Sequence, residues 1–188
     1  MSLLPQLRHG AKVLILDSSF NPPTLAHLAL ARCGNDYDAR ILMLSTTNAD
    51  KKLAPGDATL AQRQSMMALL GFHIAVIDEP TFVGKARRLH AEMPSASWNF
   101  VMGWDTVERS RARIVYAPRA GSGGIDVWTA AEWVGARDKV VPAAISDEFL
   151  ARSSTAVRNA IKSGNGTWRD KVPLAIAEYI DKERLYST

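Results

Sequence analysis

Residues 12–27 read KVLILDSSFNPPTLAH, and the passage from strand to turn to helix in this stretch sets the fold class. Lys12–Asp17 (KVLILD) is a short, nearly continuous apolar run, the pattern of a strand buried on both faces. Ser18–Pro23 (SSFNPP) is turn chemistry. Thr24–Cys33 (TLAHLALARC) reads as a helix with prolines at its entrance. A buried strand that runs through a tight turn into a helix is the opening unit of a parallel α/β sheet.

The same alternation continues downstream. Ala39–Leu44 (ARILML) is a second buried strand, followed by a polar loop over Ser45–Thr59 and a helix over Leu60–Leu70. Ile74–Ile77, Trp98–Met102 and Arg113–Ala117 supply a third, fourth and fifth strand. A basic helix covers Gly84–Met93, its charges Lys85, Arg87 and Arg88 reading as a solvated face. Helices over Ser154–Ser163 and Val172–Leu185 close the chain. The expected architecture is α/β: a Rossmann-like, doubly wound parallel sheet of about five strands with a C-terminal helical segment. No internal repeat or linker divides it, so residues 1–188 are expected to form a single domain. About ten residues separate Gly103 from Arg113, fewer than the dozen or more of a usual parallel crossover. Either the connection is short or a stretch is absent from this sequence.

Composition bounds the function. The chain has 188 residues, 47% of them hydrophobic and 22% charged, which excludes disordered and fibrous classes. A single cysteine, Cys33, excludes an intramolecular disulfide framework and a multi-cysteine zinc site. The 23 basic and 19 acidic residues give a net charge of +4, a mild excess that suits anionic partners or simply a soluble surface. No apolar run approaches the roughly 18 residues of a membrane helix, and the first ten residues lack a signal peptide. A cytoplasmic protein is expected, with nuclear residence open and no membrane partner.

Ligands of doubly wound sheets sit beyond the carboxyl ends of the strands, near the first strand-to-helix turn. Here Ser18, Ser19 and Phe20 form a turn whose backbone N–H groups can approach a phosphate, and the helix behind it points its positive end at the same place. Thr24 and His27, three residues apart, share one helix face. His27 alone would read as a partly buried helix histidine; the strand, turn and Pro-Pro-Thr-x-x-His together favour anion binding. A second candidate is Arg152–Arg158 (RSSTAVR), where hydroxyls open a helix and Arg158 lies one turn beyond Ser154. Alone, it would be a plain N-cap with a solvent-facing arginine.

These two segments carry a resemblance. The first resembles the nucleotidylyltransferase signature Gly-x-Phe-x-Pro-x-His-x-x-His in its eukaryotic form, with Thr in place of the first histidine. The second resembles the Ile-Ser-Ser-Thr-x-x-Arg signature of nicotinamide mononucleotide adenylyltransferases. Trp98–Asp105 (WNFVMGWD) looks like the family's Gly-x-Asp strand end, and Val172–Tyr186 like its closing helix. The chain as a whole looks most like fungal members. It departs at Ser18, where the family usually has glycine, at Arg152, often isoleucine, and in the short stretch after Asp105.

The resemblance implies adenylyl transfer from ATP to nicotinamide mononucleotide in NAD biosynthesis, with Mg²⁺ bound mainly through ATP phosphates and no dedicated protein metal site. His27, Thr24 and Arg158 would be catalytic. Ser18, Ser19, Phe20, Gly103, Asp105, Arg119, Ser154 and Thr155 would bind ATP alongside His27 and Arg158. Lys51 and Lys52 would meet the mononucleotide's phosphate, and Phe82 would stack on its pyridine ring, with a core phenylalanine the rival reading. Two alternatives stand beside this one: a related transferase with another acceptor, and a nucleotide-sensing protein without turnover. A nucleic-acid binder is disfavoured, because the aromatics do not interleave with the basic residues.

Overall fold

The computed structural model describes residues 7–47, 55–102, 113–116, 140–142, 147–150 and 152–187. Six strands form one sheet: β1 (Lys12–Asp17), β2 (Ala39–Ser45), β3 (His73–Ile77), β4 (Ser97–Met102), β5 (Arg113–Tyr116) and β6 (Val140–Pro142). Their order is β3-β2-β1-β4-β5-β6, and every pairing is parallel. This is the doubly wound order, with the switch point between β1 and β4. The expected fold class holds, and the sheet has one strand more than about five. The extra strand, β6, spans three residues, too few to show a periodicity of its own.

Both faces of the sheet are buried, as the continuous apolar runs require. Along β1, Val13 and Ile15 point to one side, where they pack with Ile41, Met43, Ile77, Phe100 and Leu89 of helix α3 (Phe82–Glu92). Leu14 and Leu16 point to the other, against Leu42, Leu44, Ala31 of α1 (Leu25–Arg32) and Met67 of α2 (Leu60–Ala68). Each of these side chains larger than alanine, fully buried, contributes about 1.5–3 kcal/mol. A third cluster lies beyond the sheet, where Val157 of α5 (Ser154–Lys162) and Ile176 and Ile180 of α6 (Leu174–Glu183) surround Trp168 and Tyr186. A short helix α4 (Asp147–Leu150) precedes α5. Among the described residues no helix is long and apolar enough to cross a membrane.

Local chemistry fixes the helix ends. Thr59 caps α2 by accepting from the Gln62 N–H at 3.2 Å, while Gln62 Oε1 accepts from the Thr59 N–H at 2.9 Å. Ser153 accepts from the Ala156 N–H at 3.1 Å and starts α5. At the far end of α1, Arg40 donates to the carbonyls of Ala31 and Cys33, both at 2.8 Å. A cation there satisfies orphan carbonyls and complements the helix dipole. Helix α3 begins at Phe82, two residues before the expected Gly84, because Thr81 caps it by accepting from the Gly84 N–H at 3.0 Å.

Candidate active site

The turn after β1 is built around His27. Its Nδ1 accepts the backbone N–H of Thr24 at 3.1 Å, and the Thr24 hydroxyl lies 2.9 Å from the same nitrogen. An amide N–H can only donate, so in the neutral ring Nδ1 is the acceptor and the proton sits on Nε2. Nε2 in turn lies 3.0 Å from the Ser18 hydroxyl. The imidazole therefore does what glutamate does in a capping box, holding the N-cap amide, while presenting an N–H donor to the mouth of the turn. Phe20 backs the ring at 5.1 Å between centroids and is fully buried, in the left-handed region at φ +46°. That conformation is uncommon for a bulky residue.

The carbonyls of the turn are held from behind. Arg63 of α2 donates to Ser19 O at 3.3 Å, Arg158 of α5 to Asn21 O at 2.6 Å, and the Ser154 hydroxyl to Pro22 O at 2.8 Å. Across a trans peptide the carbonyl and the next N–H point in opposite directions. Anchoring Ser19 O toward α2 thus turns the Phe20 N–H the other way. Asn21 is buried, and its Oδ1 accepts from the Ala58 N–H at 3.2 Å and the Tyr186 hydroxyl at 2.9 Å. Burial raises the Tyr186 phenol well above its usual pKa, so it stays a donor. Arg158 also pairs with Asp57, Nε to Oδ1 at 3.2 Å. Two arginines, a serine and a tyrosine, from α2, α5 and the segment after α6, thus converge on six residues of turn.

The comparisons with known proteins bear on this arrangement. No protein-family model matches the chain. A protein of Anaeromyxobacter dehalogenans named a probable nicotinate-nucleotide adenylyltransferase is 30% identical, covering 94% of this chain and 97% of that one. The chain belongs to the nicotinate/nicotinamide mononucleotide adenylyltransferase family. It is thus a nucleotidyltransferase of NAD biosynthesis, the class to which its two signatures pointed. A Gloeobacter violaceus protein with the same name is 28% identical over 94% of this chain and 97% of that one. A Schizosaccharomyces pombe protein, provisionally named a nicotinamide mononucleotide adenylyltransferase, is 34% identical over 57% of this chain and 45% of its own length. Among solved structures, the nicotinic acid mononucleotide adenylyltransferase of Plasmodium falciparum complexed with NaAD superposes with a TM-score of 0.71 at 16% identity. It covers 94% of this chain and 97% of its own, and so supports the fold.

Within this family fold, Ser18, Ser19, Phe20, Thr24, His27, Ser154, Thr155 and Arg158 come together around one turn, although α5 joins it from more than a hundred positions downstream. Lys51, Lys52, Gly103, Asp105 and Arg119 lie outside the described residues. Phe82 opens α3 half-buried, edge-on to Phe100 at 5.8 Å between centroids. The expectation of a solvated basic face fails at Lys85. Arg87 and Arg88 are exposed, but Lys85 is buried, with Nζ 2.5 Å from Asp17 Oδ2 and 4.9 Å from the Phe82 ring centroid. Its partner Asp17 ends β1, where burial raises the carboxyl's pKa against the lowering pull of the ammonium. Sequence reading missed Asp17, Arg63, Asn21 and Tyr186 as well. One signal was available for Asp17, a charged residue ending a run otherwise buried on both faces.

Proposed function

We propose that the chain joins ATP and nicotinamide mononucleotide to give NAD and pyrophosphate. A phosphate oxygen of the mononucleotide attacks the α-phosphorus of ATP in line; the bond from that phosphorus to the β-phosphate's bridging oxygen breaks, and pyrophosphate leaves with the electron pair. Both reactants are anionic, so the step needs positioning and charge neutralisation rather than a general base or a covalent nucleophile. The observation that carries the reading is the fixed His27 tautomer. With Nδ1 committed to the Thr24 N–H, the Nε2–H that meets the Ser18 hydroxyl at 3.0 Å would turn to the α-phosphate as charge develops there.

The other roles follow from position. Ser18 and the Phe20 N–H line the same mouth, with Ser19 shaping the turn and Thr24 orienting His27. Ser154, Thr155 and Arg158 at the start of α5 would hold the β- and γ-phosphates, where a helix N-terminus and a guanidinium suit an anion. Gly103, Asp105 and Arg119 would complete the ATP site; Lys51 and Lys52 would meet the mononucleotide's phosphate, and Phe82 its ring. Among the described residues no group of three or more His, Cys, Asp or Glu could hold a metal. Hydroxyls, an imidazole and a guanidinium do not form a magnesium cage, so Mg²⁺ would enter as the ATP complex. Residues 1–188 would act as one unit.

Nicotinate mononucleotide is a second acceptor to consider, because the relatives matched nearly end to end are named for it. Turnover of ATP with each mononucleotide, following dinucleotide and pyrophosphate together, tests both readings. Dinucleotide with neither acceptor would refute adenylyl transfer to a pyridine mononucleotide.

A further inference from the structure

We propose that the buried Asp17–Lys85 pair is a specificity element, setting how the site weighs a cationic against a zwitterionic pyridine ring; this rests on reading Phe82 as the acceptor's stacking platform. Asp17 immediately precedes Ser18, whose hydroxyl meets His27 at 3.0 Å. Lys85 lies one turn beyond Phe82 and places its ammonium 4.9 Å from that ring's centroid and 2.5 Å from Asp17. The side chains are only 5% and 8% exposed. The pair therefore bridges the phosphate turn and the aromatic platform. Taking two ions out of water is costly, and apolar replacements of a buried pair are often no less stable. A buried pair set between two halves of a site points to a role in the site.

The charge of the acceptors makes that role specific. Both mononucleotides carry a pyridinium ring, but the nicotinate carboxylate cancels its charge, whereas the carboxamide leaves it cationic. With Asp17 and Lys85 both ionised, their fields largely offset each other at a ring stacked on Phe82. Remove one and the other is uncompensated. At a separation of about 8–10 Å and an effective dielectric near 20, one unit charge changes another's binding by about tenfold or more. A lone carboxylate favours nicotinamide; a lone ammonium favours nicotinate.

The test is the ratio of kcat/KM for the two mononucleotides in Asp17→Asn and Lys85→Met. Each is assayed beside the parent enzyme on the side of neutrality that keeps the remaining group ionised, about pH 6.5 for the lone ammonium and about pH 8.5 for the lone carboxylate. Asp17→Asn should move the ratio about tenfold toward nicotinate, and Lys85→Met about tenfold toward nicotinamide. Asparagine keeps an oxygen for Nζ and nearly the same shape, so Asp17→Asn decides the question even where Lys85→Met does not fold. A purely structural pair would lower both acceptors together. An unchanged ratio, or two shifts in the same direction, would overturn the inference while leaving adenylyl transfer standing. A parent enzyme that turns over neither acceptor would remove both.

Discussion

His27 shows how little a side chain needs to do once its neighbours have set its protonation. The Thr24 amide fixes Nδ1 as acceptor, and the role proposed for His27 follows from the proton left on Nε2. His27→Ala should lower kcat by about 10²-fold or more, the scale of a lost oxyanion-type donor, with nucleotide affinity little changed. Steady-state kinetics of the folded variant decide it, and near-normal turnover would refute the assignment. Asn21 makes a different point. Its Oδ1 receives two donors, the Ala58 N–H and the Tyr186 hydroxyl. Asn21→Asp keeps the acceptor for both donors but buries a carboxylate, so it should lose only part of the stability. Asn21→Leu strands two buried donors, each costing about 1–3 kcal/mol, and should melt clearly earlier. Equal melting of the two variants would mean the Oδ1 contacts do not matter.

At the level of elements, α5 and α3 each join a cap to a functional side chain. Arg158 divides its guanidinium between Asn21 O at 2.6 Å and Asp57 at 3.2 Å, a geometry that a lysine's single ammonium cannot reproduce. Arg158→Lys should weaken ATP more than AMP, which lacks the β- and γ-phosphates and would feel only the loosened turn. Calorimetry with both nucleotides distinguishes a phosphate contact from a support for the turn, which would weaken both alike. In α3, a Cβ at Gly84 would overlap the Glu79 carboxyl group. That carboxylate is itself held by the Thr81 N–H at 2.9 Å and hydroxyl at 2.7 Å. Gly84→Ala should therefore displace the Glu79 carboxylate and forfeit its two bonds to Thr81, cancelling alanine's helical advantage and leaving stability level or slightly lower. In a Glu79→Ala background the same substitution should stabilise, since alanine outranks glycine in a helix by about 0.5–1 kcal/mol. Denaturant melts of the four proteins show whether the gain appears only without Glu79.

For the molecule as a whole, what could be read from the sequence was what the chain writes locally. The run Val13–Leu16, the turn prolines and Thr-x-x-His lie within one short stretch, so periodicity and motif reinforce each other. Contacts made at a distance left no such trace. Lys85 reads as solvated on its own helix because the carboxylate that buries it is 68 positions away. Val140–Pro142 is too short to declare itself, and its place in the sheet comes from β5. The Tyr186–Asn21 hydrogen bond is the extreme case, linking positions 165 residues apart. On the ribosome, Asn21 emerges early and must wait for its partner. At about 5–20 residues per second the wait is on the order of ten to thirty seconds. During that time β1 and α1 can form, but the turn between them lacks the tyrosine that completes its support. The nascent chain thus builds its phosphate turn first and completes it only once Tyr186 has emerged, so a product broken off before Tyr186 would carry both signatures, with the Ser154 and Arg158 contacts between them, but without the tyrosine that supports Asn21.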